Sequence, residues 1–357
     1  MQQLFALFLL LFFHPLYASP LVEELKKYAF DNPEFVTDEL LVAQDGKIIF
    51  EQYSNGFHKD SKHITWSITK SLINAAAGVA VLEGKIDLQD SICKHIKKIK
   101  DPKQCEIKLL NLLNWSSGLQ WQESYEKSGS LSKSSVLQML YGDGHIDMPT
   151  FVLKHPLLNE PGKVWNYSSG DTSLLSYILG LHYENNLGKM IREKIFSSLG
   201  MKQVTLEEDR SSSVVGSSYL YSTARELAKF GTLFLNDGTY HGKRLLPQNW
   251  ILESTEPSLA YKNIPPDETQ KEKIKGGFAA SSWWTNRPFK EWNHIKAWED
   301  LPDDTFMASG HWGQYLIIIP SLKIICVRLG EDRKSKIPVN ELMKKVLAIA
   351  TSGDQTK

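Results

Sequence analysis

The sequence predicts an α+β fold: one sheet assembled from strands near both ends of the chain, with a mainly helical lobe inserted between them. Three observations carry that expectation. Strand-like runs at 39–43 and 47–53 flank Gln44-Asp45-Gly46, an Asp-Gly hairpin signal. Strand-like runs return at 281–285, 306–308, 315–319 and 323–329. Between about 87 and 255 the pattern is mostly helices and loops. The corresponding units are a sheet lobe of about 20–86 and 257–357, and a helical lobe of about 87–256.

In chain order, residues 21–30 have helical spacing and lead into the hairpin. Residues 67–83 form an Ala-rich, uninterrupted helical pattern stopped by Gly84; it is apolar nearly all round, so this helix belongs in the interior. Residues 225–235 give the clearest helix late in the insertion, and a polar stretch follows at 257–275. The apolar run from Leu316 to Val327 turns at Pro320-Ser321, and an amphipathic helix at 339–349 closes the pattern.

The 357 residues carry Lys+Arg 41 against Asp+Glu 41, with 42% hydrophobic and 23% charged. That is a folded globular composition, neither disordered nor fibrous. No surplus positive charge is available to recruit nucleic acid or an anionic membrane, so the expected partner is a small molecule. The apolar run from Leu4 to Phe13 is about half the ~20 residues of a spanning helix and precedes the small pair Ala18-Ser19. It reads as a secretory signal peptide over 1–18, leaving a mature chain of 19–357 with no membrane span, periplasmic or secreted.

Cys93, Cys105 and Cys326 allow a single disulfide. Outside the cytoplasm Cys93 and Cys105 are the candidate pair, closing a small Lys-rich loop if their Cβ vectors meet. Cys326 lies in an apolar strand and reads as a small buried hydrophobe. No Cys/His spacing suits zinc and no glycine-rich phosphate loop is present, so no metal or organic cofactor is implied.

The G-x-S-x-G nucleophile elbow is absent. S-x-x-K begins at Ser67, Ser91, Ser124 and Ser130. For the amine to reach the hydroxyl, serine and lysine must share a helical face. Ser67 and Lys70 do so at the start of the buried helix, where free backbone N–H groups and the helix dipole favour a developing oxyanion. The other three lie in short polar or Lys-rich segments, and a lysine left in water keeps its ordinary basicity and makes a poor base. Burial of Lys70 would lower its pKa, and a tyrosine hydroxyl would relay the proton. Tyr53 and Tyr167 are each followed two residues later by Asn or Ser. Tyr53-Ser54-Asn55 ends a hairpin strand at an Asn-Gly turn, whereas Tyr167-Ser168-Ser169 sits on a loop before a helix at 172–181.

These segments together resemble the serine β-lactamase and penicillin-binding-protein superfamily, in its class C-like branch of esterases, D-aminopeptidases, DD-carboxypeptidases and 6-aminohexanoate-dimer hydrolases. Ser67-Ile-Thr-Lys70 with its apolar helix and Glu83-Gly84-Lys85-Ile86-Asp87-Leu88 resembles the nucleophile segment. Ile107 to Leu119, ending Ser-Ser-Gly118-Leu119, resembles the family's helix and S-G-L turn. Pro161-Gly162 through Ser169 resembles the tyrosine motif, and Ser222 to Gly231 a characteristic helix start. Ala308-Ser-Gly310-His311-Trp312-Gly313-Gln314 resembles the K-T-G-type segment, here H-x-G.

The resemblance implies a β-lactamase/transpeptidase-like fold, with an antiparallel sheet flanked by helices. It implies a serine hydrolase cleaving a small ester, amide or peptide-like substrate through an acyl-enzyme. Ser67 would be the nucleophile, Lys70 its proton-transfer partner, and Tyr167 the group exchanging protons with nucleophile and leaving group. The backbone N–H groups of Ser67 and Gln314 would form the oxyanion hole, and Ser169, His311, Gly313 and Gln314 would face the substrate. Family order also sets Tyr53 aside, because the tyrosine motif follows the nucleophile.

Two departures bear on specificity. Ser169 stands where many members carry Asn. His311 replaces the usual lysine, which lessens the case for a carboxylate grip and moves the chain towards the esterase, peptidase and nylon-oligomer hydrolase members; a histidine there brings pH-dependent polarity or simply fills space on a strand. Trp66, Trp115, Trp121, Trp283, Trp284 and Trp312 either line a cleft or pack a core. Two other functions fit the same segments: a DD-carboxypeptidase or weak class C-like β-lactamase, and a non-catalytic penicillin-binding sensor.

Overall fold

The computed structural model describes residues 19–125, 133–264 and 276–352. The signal peptide expected at 1–18 lies outside them, as do Lys127 and Ser130 of two S-x-x-K decoys. Strands in the first part are β1 (Thr37–Gln44), β2 (Lys47–Tyr53), β3 (His63–Ile64), β4 (Val204–Leu206), β5 (Leu220–Ser222), β6 (Thr239–Tyr240) and β7 (Lys243–Arg244). They are followed by β8 (Phe278–Ala279), β9 (Trp284–Thr285), β10 (Phe306–Gly310), β11 (Gln314–Ile319) and β12 (Ile324–Gly330). The α-helices are α1 (Pro20–Phe30), α2 (Ile68–Leu82), α3 (Ile92–His95), α4 (Leu109–Leu113), α5 (Ser135–Tyr141), α6 (Met148–Leu153), α7 (Ser169–Leu181), α8 (Leu187–Met190), α9 (Ala224–Leu235), α10 (Trp250–Thr255), α11 (Leu259–Lys262) and α12 (Val339–Ser352).

The main sheet has the order β2-β1-β12-β11-β10-β9-β8, antiparallel throughout, so strands from both ends of the chain meet at the β1–β12 pair. Its two faces follow the period-2 alternation of side chains. Leu41, Leu316, Ile318, Ile325 and Val327 face a core shared with α2, α7 and α9. Leu40, Val42, Ile317, Ile319 and Cys326 face a second core closed by α1 and α12. Helices on both faces explain why β11 and β12 read as continuous apolar runs rather than as alternating ones.

Helix α2 runs through the first core with its residues from Ile68 to Ala80 buried. Its polar side chains are all satisfied: Ser71 donates to the Ser282 carbonyl at 2.7 Å, and Asn74 donates to Ser254 and to the Ser281 carbonyl and accepts from Trp250. Gly84, at φ +65°, ends the helix in the left-handed conformation that glycine adopts without a Cβ penalty.

Two expectations need correction. The predicted strand at 281–285 is shortened to β9, because Ser282 takes a positive φ and Ala280 N–H bonds back to the Trp283 carbonyl, which turns the chain between β8 and β9. The lobe boundary also moves. Helix α9, expected in the helical lobe, packs on β1, β11 and β12, and β3 pairs with β5 and β5 with β4. Helix α9 therefore belongs with the main sheet, while β3, β5 and β4 form a separate three-stranded sheet.

One contact that ties α9 to the sheet is Glu39 on β1, fully buried, whose Oε2 accepts from the Ala224 N–H at the first turn of α9 while Oε1 has no partner. Burial pushes this carboxyl up to about 7 from 4.5. A carboxyl whose folded pKa is raised contributes its stability fully below the unfolded value and loses it as pH rises through the folded one. The free-energy gap between wild type and Glu39→Gln should therefore move in favour of the Gln variant by about 3 kcal/mol between about pH 4 and pH 8.5. Denaturant titrations at the two pH values check this, and a pH-independent gap would contradict it.

Cys93, on α3, is disulfide-bonded to Cys105, with Cα atoms 5.1 Å apart. Closing a loop of this size restricts the unfolded chain by about 3 kcal/mol. A Cys93→Ser/Cys105→Ser protein should show a lower denaturation midpoint by that order, matched by wild type under reductant.

Candidate active site

Ser67 caps α2 at its N-terminus and is half-buried. Trp66 before it has φ +49°, a left-handed conformation unfavourable for a bulky residue. Neighbouring bonds hold it there. Thr65 donates through N–H and Oγ1 to the Leu220 carbonyl, Thr69 Oγ1 donates to the Trp66 carbonyl at 2.6 Å, and Leu220 N–H donates to Thr69 Oγ1. Strand β5 thus braces the turn that presents Ser67.

Lys70, one helical turn on, is 1% exposed. Its Nζ lies 3.0 Å from three acceptors: Ser67 Oγ, Ser169 Oγ and the Ser217 carbonyl. Burial lowers its pKa from 10.5 to about 8, with the nearby Glu123 carboxylate opposing the shift. An amine in this range exchanges its proton close to neutrality.

Tyr167 reaches the same point from the loop before α7. Its ring lies 5.0 Å from Lys70 Nζ, stacked on Trp284 at 5.8 Å and edge-on to Trp115 at 4.6 Å. Burial and the Glu123 charge raise its phenol far above the ordinary value, while a hydrogen bond with Ser67 pulls the other way; it is a neutral hydroxyl here. The start of α7 is fixed by Ser168 as N-cap and by buried Asp171, which accepts from Ser117 Oγ at 2.7 Å and Ser168 Oγ at 3.0 Å. That pins the Ser117-Gly118 turn to the tyrosine loop, and burial pushes Asp171 up to about 7.

Ser67, Lys70, Tyr167 and Ser169 therefore converge. Ser169 differs in its use from the expectation: it is fully buried, and its hydroxyl serves Lys70 and Glu123 instead of facing a substrate. Glu123 is a member of this cluster that the sequence patterns do not mark, since it stands on an irregular segment with no periodicity around it.

The H-x-G hairpin between β10 and β11 forms the opposite wall. A Cβ on Gly310 would lie 2.2 Å from the Thr65 carbonyl, so glycine is what lets β10 run against the nucleophile turn. His311 follows, its ring stacked on Tyr125 at 4.6 Å and 5.6 Å from Trp66.

Gln314 and Gly313 do not fit the roles expected of them. The Gln314 side chain is fully buried, accepting from Gly330 N–H and donating to the carbonyls of Gly330, His311 and Trp312. Its backbone lies at the start of β11, paired with Gly310 of β10, and it is Gly310 that meets the Thr65 carbonyl of the nucleophile turn. Gly313 is tied to the scaffold behind the hairpin: its carbonyl accepts from Arg328, and a Cβ there would meet Arg328 and Asp332 at 2.4 Å. Arg328 and Asp332 form a fully buried, doubly bonded ion pair behind this hairpin. Of the tryptophans, Trp66, Trp115, Trp284 and Trp312 contact site residues, Trp121 donates to Glu123 at 2.6 Å, and Trp283 packs between Phe234 and Phe306 in the core.

A family model described as Beta-lactamase matches residues 27–344. The chain belongs to the beta-lactamase family. Within it, the chain is similar to 6-aminohexanoate-dimer hydrolase from Paenarthrobacter ureafaciens, 24% identical over 261 residues, which is 70% of this chain and 64% of that protein, so the match spans just under two thirds of the relative's length. Among solved structures it is similar to a provisionally named 6-aminohexanoate-dimer hydrolase from Bacillus anthracis, with TM-score 0.68 and 22% identity over 93% of this chain and 81% of the other. It is also similar to a provisionally named beta-lactamase from Bacteroides dorei, with TM-score 0.73 and 15% identity over 94% and 99%. These structures share the fold, which is the β-lactamase-like α+β architecture.

The close contact at Gly310 makes a test of how this member of the beta-lactamase family builds its candidate site. Gly310→Ala should push β10 from the Ser67 turn and slow labelling of Ser67 by a fluorophosphonate about a hundredfold, the order expected for a misplacement near 1 Å. Labelling at the wild-type rate by a folded variant would show that the contact does not set the geometry.

Proposed function

We propose that the protein is a serine hydrolase that cleaves an ester or amide bond through an acyl-enzyme on Ser67. The observation that carries this reading is the buried Lys70 amine, 3.0 Å from the Ser67 hydroxyl with its basicity lowered to about 8. A lysine in that state takes a proton at near-neutral pH, which an exposed one does not. Ser67 Oγ attacks the carbonyl carbon as its proton passes to Lys70. The oxyanion is held by the Ser67 N–H, because the amides of Ile68, Thr69 and Lys70 are spent on carbonyls within the turn. A second donor is assigned to the main chain at the end of β10, around Gly310 and His311, in place of Gln314. As the intermediate collapses, the leaving group takes the Tyr167 proton, which Lys70 replaces. Water then attacks the acyl carbon, and Ser67 is regenerated.

The substrate side is walled by aromatic rings, Trp66, Tyr125, His311 and Trp312 on one side and Tyr167, Trp115 and Trp284 on the other. Together with the similarity to a 6-aminohexanoate-dimer hydrolase, these walls favour a small linear ester or amide. The Cys93–Cys105 bond accords with an exported, periplasmic or secreted enzyme.

Hydrolysis of p-nitrophenyl butyrate should require Ser67, and kcat/KM should rise with pH through about 8, because Lys70 must be neutral to accept the proton. Lys70→Ala and Tyr167→Phe should each lower it by about 10²–10⁴. Turnover that persists in Ser67→Ala would sink the assignment, and a stable stoichiometric adduct without turnover would favour a sensor.

A further inference from the structure

Glu123 closes an ordered chain of hydrogen bonds that starts at the nucleophile. Ser169 donates through Oγ to Glu123 Oε1 at 2.6 Å and through its N–H to Oε2 at 3.0 Å. On its other side Ser169 Oγ lies 3.0 Å from Lys70 Nζ, which also contacts Ser67 Oγ and the Ser217 carbonyl. Counting protons fixes the direction of the chain. A carboxylate only accepts, so the Ser169 proton is committed to Glu123 and the Ser169 oxygen faces Lys70 as an acceptor. The Ser217 carbonyl is an acceptor as well. An ammonium spends its three N–H groups on three acceptors. A neutral amine has two, and both are claimed by Ser169 and Ser217. Its lone pair is then left facing the one partner able to donate, the Ser67 hydroxyl.

We propose that Glu123 is a positioning residue: by holding the Ser169 proton, it aims the Lys70 lone pair at Ser67 and makes Lys70 a base towards the nucleophile instead of towards Ser169. The proposal rests on the acyl-enzyme reading above. Glu123 is itself held for this role by Trp121 Nε1, donating to Oε2 at 2.6 Å, and by the Tyr125 hydroxyl, donating to Oε1 at 3.2 Å. The other titratable groups around this chain are Tyr167, whose ring faces Lys70, Tyr125 beside Glu123, and Asp171 in the first turn of α7. Glu123 is the group among them whose charge favours the ammonium form of Lys70.

The test uses the pH dependence of Ser67 labelling by a fluorophosphonate, which needs no knowledge of the substrate. In Glu123→Gln the amide can donate to Ser169, freeing the Ser169 hydroxyl to occupy the Lys70 lone pair, and the charge that favours the ammonium is gone. The labelling rate on the alkaline plateau should fall at least about tenfold, and the rising limb should move to lower pH by about one unit. Ser169→Ala breaks the same link without touching the carboxylate, and it carries the test if the Gln variant does not fold. If Glu123 acts through Ser169, the double variant should lose no more than the worse single one. A folded Glu123→Gln protein with an unmoved limb overturns the proposal, as does a double variant whose loss is the product of the single losses. Wild type that is labelled at Ser67 but shows no ester or amide turnover overturns the hydrolase reading while leaving this test intact; wild type unlabelled at Ser67 removes both.

Discussion

Keeping the amine of Lys70 out of water is the constraint around which this fold is arranged. A buried amine is tolerated only where acceptors are supplied from the surrounding structure. Here they come from three places in the chain: the first turn of α2, the start of α7 and the Ser217 carbonyl ahead of β5. Helix α2 must then be enclosed on all sides, which is why its sequence is apolar nearly all round and why Ser71 and Asn74 find buried partners. The capping of α7 by Ser168, with Asp171 tying it to Ser117, places Tyr167 and Ser169 against that amine. The same dryness that makes the arrangement costly brings the amine close to neutrality.

The opposite wall depends on a different kind of contact. The hairpin bearing His311 and Trp312 is held from behind by Arg328 and Asp332, both removed from solvent. A buried ion pair adds little stability unless every proton and lone pair finds a partner. Arg328 meets that demand with the carbonyls of Gly313 and Val36 and with Thr37, and Asp332 with the amides of Val36 and Ile337. The Asp332 N–H also donates to the Trp312 carbonyl, and the Arg333 guanidinium lies 4.1 Å over the Trp312 ring. The network fixes the shape of one tight turn, and Gln314, whose side chain bonds to the His311 and Trp312 carbonyls of that turn and to Gly330 of β12, belongs to this scaffold.

Much of this was legible from local patterns. The first hairpin, α1, α2 and α12, and the Ser67–Lys70 pair, follow from periodicity, an Asp-Gly turn and the geometry of one helical turn. Tyr167 could be told from Tyr53 through its turn context and its order along the chain. Glu123 was not legible, because nothing local distinguishes a carboxylate on an irregular segment from a solvated one; its role comes from contacts with Ser169, 46 positions away. Gln314 was misread for a related reason: a motif in sequence does not say which way a side chain turns at a strand end. The allegiance of α9 likewise depends on a tertiary contact, made by Glu39 across 185 positions.

The pairing of β1 with β12 has a consequence for how the chain comes into being. Thr37 lies opposite Gly330 and Gln44 opposite Ile324, so one long edge of β1 finds its partner only when the last strand has been synthesised. Until then the growing polypeptide presents an open edge of the sort that invites association with other chains. The residues around the Lys70 amine are all made well before that point, whereas the Gly310 strand and the sheet behind it arrive late. Closure of the sheet by β12 and completion of the candidate cleft by β10 are thus nearly the same event, which ties the shape of that cleft to the integrity of these late strands.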